Sequence, residues 1–179
     1  VFGPPITQHE IDRTIEAFSS GIGMTWDEHG AETCHFQAAM GAGGQKAFLV
    51  PVILDSIEAM TERLQAGATV VDIGCGAGVA ATTVAQAFPN TNVIGMDPSS
   101  HAIAAASARA AEAGLDNLSF RQGTFDDLGE FADVDLLLTL DVIHDLPRPG
   151  AAVRSARGCL ADDGVWMVAD IRARGGLED

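Results

Sequence analysis

The chain has 179 residues, 47% hydrophobic and 20% charged, with a formal net charge of −15 at pH 7. That length and balance suit one soluble globular domain with a sizeable core and exclude an intrinsically disordered chain. The acidic surface excludes nucleic acid and an anionic membrane as partners, because its field repels phosphate.

Three widely spaced cysteines, Cys34, Cys75 and Cys159, form neither a metal-type pair nor a disulfide framework. With no secretory leader and no apolar run of membrane-spanning length, they point to the reducing cytoplasm. The first residue is Val1 rather than methionine, and the last residues follow closely on a strand-like run, as in a fragment of a longer chain.

In chain order, Thr7-Gln8-His9-Glu10 has the form of a capping box, and Ile11, Ile15 and Phe18 follow at helical spacing before Gly21. Met24–Gln37 is rich in Trp, His and carboxylates, has no clean period, and is expected to be irregular. A second helix is predicted from about Lys46 to Gln65. Ile53, Ile57, Met60 and Leu64 lie on one stripe of it, Pro51 near its start and Gly67 beyond its end.

From Ala68 strands and helices alternate. Thr69–Ile73, Asn92–Met96, Leu118–Arg121, Val134–Leu140 and Val165–Ile171 read as strands. Ala77–Phe88, Ser99–Ala113 and Arg148–Leu160 read as helices. The alternation predicts an α/β fold, a mostly parallel doubly wound sheet with five visible strands. Residues 1–66 form a helical extension expected to lie over the sheet's ligand end as a lid, and residues 67–179 form the ligand-binding domain.

The junction Val70–Val79, VVDIGCGAGV, places glycines at 74, 76 and 78 between a strand and a helix. Asp97 ends the next strand, where a carboxylate accepts both hydroxyls of a ribose. The dinucleotide pattern G-x-G-x-x-G fails: its last position falls on Val79 or Thr82, according to where it starts. The P-loop lysine is also missing. Asp72 adds a carboxylate that suits an ammonium group better than a phosphate. S-adenosylmethionine carries an ammonium, a sulfonium, a ribose and an adenine, and no phosphate.

These residues resemble the class I S-adenosylmethionine-dependent methyltransferases, a Rossmann-like family, over about Ala68 to Arg172. VVDIGCGAG is similar to the first family motif, VIGMDPS to the second and FRQGTFDDL to the third. LLLTLDVIHDL resembles the fourth, and LADDGVWMVADI the fifth strand with its preceding turn. The resemblance implies that Asp72, Gly74, Cys75, Gly76 and Gly78 line the methionine part. It also implies that Asp97, with Pro98 beside it, holds the ribose, and that the Leu140 carbonyl receives the amino group. Many relatives have Gly-Asp for the adenine amino group; this chain has Gly123-Thr124, whose hydroxyl is a weaker acceptor than a carboxylate. Phe125 either packs on the adenine or belongs to the core. The family also adds two strands after the fifth, and none is legible before Asp179.

His144, in DVIHDLPRP, resembles the general base in the HDW segment of small-molecule O-methyltransferases, with Leu146 in place of the tryptophan. Substrate positioning and a structural role are the alternatives. Asp141 and Asp170 resemble metal-ligand positions of catechol-type relatives, but strand-end aspartates commonly cap turns, and no metal is expected. Trp26, His29, His35, Phe36, Asp141 and Asp145 are the candidate acceptor residues. His9 and His101 read as surface residues.

The expected function is methyl transfer from S-adenosylmethionine to a small molecule, at a hydroxyl oxygen, releasing S-adenosylhomocysteine. A homodimer is compatible with this. The alternatives are an NAD(P)-dependent oxidoreductase and a non-catalytic or truncated S-adenosylmethionine-binding module.

Overall fold

A computed structural model describes residues 6–172. Helix α1 (Gln8–Ser20) opens on the predicted capping box: the Glu10 N–H donates to the Thr7 hydroxyl, and the Thr7 N–H donates to the Glu10 carboxylate. Gly21 closes it in the left-handed conformation.

The next region departs from expectation. A 3-10 turn at Trp26–His29 leads directly into α2 (Gly30–Phe48), so most of the stretch expected to be irregular is helical. The single helix predicted over 46–65 is broken. Pro51 has no N–H to give the Ala47 carbonyl, and its ring crowds that turn. The backbone widens into a π turn over Leu49–Ile53, where the Leu54 N–H reaches the Leu49 carbonyl. A 3-10 turn at Leu54–Ser56 follows, Ala59 takes a left-handed φ of 56°, and α3 (Met60–Ala66) starts after it. Leu49, Leu54, Met60 and Leu64 are all buried, so this segment is held by apolar burial rather than helical continuity.

The alternating region follows expectation: β1 (Thr69–Ile73), α4 (Val79–Ala87), β2 (Asn92–Asp97), α5 (Ser100–Ala113), β3 (Leu118–Gln122), β4 (Val134–Leu140), α6 (Pro149–Cys159) and β5 (Leu160–Ala169). The sheet is parallel with order β3-β2-β1-β4-β5. Strand β5 starts earlier than predicted. Leu160 pairs with Val134 and the ladder resumes at Leu136 and Val165, leaving Asp162-Asp163-Gly164 as a bulge.

Each face of the sheet has its own core. Val70, Leu136 and Leu138 pack with Leu49, Leu54, Leu64 and Val84 on one face, and Val71, Ile73 and Leu137 with Ala152 and Ala156 on the other. Burial on both faces is why these strands read as continuous apolar runs. Each buried Val, Leu or Ile side chain contributes about 1.5–3 kcal/mol of transfer free energy. The chain passes from β1 to β2 on one side and returns to β4 on the other. A crevice therefore opens beyond the carboxyl ends of β1 and β4, at the topological switch point. Helix α2 packs on α4 and α5 and reaches that crevice.

Candidate functional site

The crevice holds a cavity of about 880 Å³. Gly74, Cys75, Gly76, Asp97, Pro98 and Leu140, all assigned to the cofactor by the resemblance, line its floor. Thr124 and Phe125 line one end, and Trp26, Phe36, Asp141 and Asp145 the rim. Asp72, Gly78, His29, His35 and His144 are not among the lining residues.

The three motif glycines serve different purposes. A Cβ on Gly74 would lie 2.5 Å from Val142 Cγ2, and one on Gly78 would lie 2.5 Å from Phe120 Cζ. Those two permit close packing of the chain on itself. Gly76, at φ 53°, has nothing among the described residues within 4 Å of the Cβ position and opens toward the cavity. Of the three, it is the one whose missing side chain leaves room for a ligand.

Asp97 is held from two sides: the Gly76 N–H donates to Oδ2 and the Ser99 N–H to Oδ1, each at 2.9 Å. Burial raises its pKa, and these two N–H groups oppose the rise. Each carboxylate oxygen keeps a second lone pair, the arrangement a vicinal diol requires. Asp72 departs from the sequence reading. It is 1% exposed, and its Oδ2 has no hydrogen-bond partner among the described residues. Burial pushes its pKa up to about 7, opposed by the Ala81 N–H at the start of α4. It supports the glycine loop from behind and does not reach the cavity. Cys75 is likewise pushed up, by burial and then by Asp72 and Asp97, which leaves an inert thiol.

Thr124 caps the 3-10 turn Phe125–Glu130, its hydroxyl accepting from the Asp126 N–H and donating to Asp127. That hydroxyl is therefore already engaged, and the neighbouring Asp126 carboxylate stands in the same cavity wall. Phe125 belongs to the core and also borders the cavity. It is buried with its ring centroid 6.5 Å from that of Trp166, and it lines the cavity.

The N-terminal segment is fastened over this end. The Ser99 and Ser100 hydroxyls donate to the two oxygens of Asp27, at 2.6 and 2.9 Å. These bonds hold the Asp27 carboxyl below its usual range. They tie the Trp26–His29 turn to the start of α5, two residues beyond Asp97. Helix α2 then places Cys34, Gln37, Met40 and Gln45 in the cavity wall. Sequence reasoning missed those four because Gly41, Gly43 and Gly44 weaken any helical signal. The helix is supported by its packing on α4 and α5.

Beyond β4 the backbone turns sharply. Asp141 has a left-handed φ of 63°, and its N–H donates to the Ala169 carbonyl at 2.7 Å. This turn brings His144 to the end of β5, where its Nδ1 lies 2.7 Å from Asp170 Oδ1. Oδ2 of Asp170 accepts from the Ile143 and His144 N–H groups. The other ring nitrogen, Nε2, lies 3.4 Å from Asp145, a cavity residue. The hydrogen bond to Asp170 raises the His144 pKa, with further contributions from the charges of Asp145 and Asp141. Burial alone would raise Asp170, but the bonds from His144, Ile171 and Ile143 leave it below its ordinary value. Asp141, His144 and Asp170 each offer one ligand atom within 4.8 Å of the others, a spacing that could hold a cation, though all three are exposed.

A family profile described as a methyltransferase domain matches residues 64–178. The chain is 26% identical over 171 residues to the ubiquinone biosynthesis O-methyltransferase of Actinobacillus pleuropneumoniae, covering 91% of this chain and 66% of that one. It is 41% identical over 81 residues to the trans-aconitate 2-methyltransferase of Deinococcus radiodurans, covering 45% of this chain and 29% of that one. The chain thus spans at most about two thirds of the length of these relatives. The structure of PKMT2 from Rickettsia typhi in complex with AdoHcy shares the fold. Its TM-score is 0.54 at 24% identity, over 56% of this chain and 20% of that one. Among the described residues no helix is long and apolar enough to cross a membrane.

Proposed function

This chain belongs to the methyltransferase domain family, and we propose that it binds S-adenosylmethionine and passes the methyl group to a hydroxyl oxygen of a small acceptor that carries no negative charge. The observation that carries this reading is the pairing of an open Gly76 with a doubly anchored Asp97 in one cavity at the switch point. The Gly76 opening admits the methionine part against bare backbone, Asp97 accepts from the ribose hydroxyls, and the Leu140 carbonyl accepts from the amino group. Thr124 and Phe125 border the adenine. Within the N-terminal extension, the Trp26–His29 turn and α2 act as the lid, latched by Asp27, while Leu49, Leu54, Met60 and Leu64 belong to the core of the binding domain.

Bound S-adenosylmethionine supplies a methyl group on a positively charged sulfur. The protein's part is to align the acceptor, exclude water and remove one proton. Asp170 accepts from Nδ1–H of His144, which leaves the Nε2 lone pair to take the hydroxyl proton as the acceptor oxygen gains the methyl. Nε2 lies beside Asp145 on the rim, so the acceptor hydroxyl is expected there.

The rim charges disfavour an anionic acceptor. Among the described residues, Asp126, Asp141 and Asp145 line it against one cation, Arg148, which already lies 3.9 Å from Asp126. A polycarboxylate would enter this wall against repulsion, so the ubiquinone-pathway relative is the better guide to the acceptor.

Calorimetry with S-adenosylhomocysteine and NAD tests the cofactor. Binding of the former at micromolar concentration is expected, and selective binding of NAD sinks the reading. Labelled S-adenosylmethionine offered with a panel of phenols, amines and carboxylates tests the chemistry. Transfer to phenols is expected; tight cofactor binding without transfer to any acceptor favours the non-catalytic module.

A further inference from the structure

Away from the large cavity, a crevice of about 240 Å³ opens among α2, α4 and α5. Its wall carries Lys46, the chain's only lysine, and Arg109. The chain has 25 acidic against 10 basic residues, yet neither cation has an ion-pair partner among the described residues. Glu112 stands in the same wall, exposed and within ion-pair distance of neither.

A second feature of the crevice is independent of charge. Thr82 lines it, is 6% exposed, and has a hydroxyl with no hydrogen-bond partner among the described residues. Its neighbour Thr83 already donates its hydroxyl to the Val79 carbonyl at 2.8 Å. Buried polar groups in folded proteins are almost always satisfied, so an idle donor beside two cations without counter-charges marks a missing acceptor.

We propose that this crevice binds a small oxyanion of the phosphate type, with Lys46 and Arg109 supplying charge and Thr82 a hydroxyl donor. A water molecule occupies about 30 Å³ of liquid, so the crevice has room for more than a bare phosphate. A phosphate monoester of a small metabolite uses that room better than the inorganic ion.

The location has a consequence for the main cavity. Arg109 Nε donates to the Ala77 carbonyl at 2.9 Å, and Ala77 lies in the glycine loop beside Gly76. Val79 lines both cavities. An oxyanion on the guanidinium therefore sits against the back of the loop, and it should shift the affinity of the cavity in front.

Amide NMR and thermal melting of the whole chain test the site without any activity. Potassium phosphate, glycerol phosphate and potassium chloride are compared at matched ionic strength. Saturable shifts at Lys46, Thr82, Thr83 and Arg109, with a rise in Tm that chloride does not give, are expected. Tighter binding of glycerol phosphate identifies a metabolite ester as the ligand, and equal or tighter binding of phosphate identifies the inorganic ion. Lys46→Gln, at an exposed position, should weaken binding about tenfold or more while the fold is kept. Thr82→Val, nearly isosteric, should also weaken it. Shifts no different from those in chloride, or binding undiminished in Lys46→Gln, would overturn the proposal.

Discussion

Replacing Asp72 by asparagine should make the fold markedly less sensitive to pH. Asp72 lies behind the glycine loop at 1% exposure, with one oxygen unpartnered. In the unfolded chain its carboxyl releases a proton near pH 4, whereas in the fold burial holds that proton until about pH 7. Folding therefore takes up a proton between those two values. The sign is the reverse of a salt-bridged aspartate: this group lowers stability progressively from pH 4 to 7, and the loss is complete above. Carrying the pKa from 3.8 to about 7 corresponds to roughly 4 kcal/mol across the window. Asparagine is close in shape, can still accept from the Ala81 N–H, and cannot ionise. Urea unfolding at pH 5 and pH 8 measures the effect. The native chain should lose about 2–3 kcal/mol relative to the Asp72→Asn variant between the two pH values, because part of the loss is already complete at pH 5, after the titration of other groups cancels in the difference. Parallel stability curves for the two proteins would refute the reasoning and would mean that Asp72 is solvated or paired in solution.

In Asp170→Asn, the amide nitrogen would face His144 Nδ1, favour the tautomer with Nε2 protonated, and remove the base. The contact is partly exposed, so a charge-assisted bond discounted to about 1–2 kcal/mol gives a fall of about 5- to 30-fold in kcat/KM. Because Asp170 raises the His144 pKa and the base must be neutral, the rising limb of the pH–rate profile should move to lower pH; an unmoved limb argues against the pair. Gly78→Ala combines a left-handed φ with a Cβ placed 2.5 Å from Phe120, costing about 2–5 kcal/mol in urea unfolding. Gly76→Ala meets open space, so its cost to the fold is about 1–2 kcal/mol, but its S-adenosylhomocysteine affinity should fall more than in any comparably stable variant. The reverse ranking of the two alanine variants in stability would contradict the roles assigned here. Asp27→Ala releases the Trp26–His29 turn from Ser99 and Ser100; amide exchange should quicken at both places and cofactor affinity should drop, and unchanged exchange would deny the latch.

Much of the site was legible because its parts are local. The capping box at Thr7, the αL glycine after α1 and the serine cap of α5 are each decided within a few residues, and each is where the sequence puts it. Five apolar runs separated by helices specify a parallel sheet, and the spacing from Gly74 to Asp97 brings loop and carboxylate to neighbouring strand ends. The roof was not legible. Helix α2 has no apolar period, and its small residues become a helix by lying on α4 and α5.

The sequence by itself thus determined the class of fold, the order of its elements and the residues on the cavity floor, because hydrophobic period, caps and turns act over short distances. Only the tertiary structure decided what those residues face. Asp72 and Asp97 both belong to buried strands, yet one is sealed behind the loop and the other opens into the cavity. Asp170 meets His144 only because Asp141 turns the chain after β4 toward the end of β5. Lys46, Thr82 and Arg109, far apart in the chain, share one crevice only because three helices cross there. Direction and proximity of this kind arise from packing between distant segments, which no local pattern encodes.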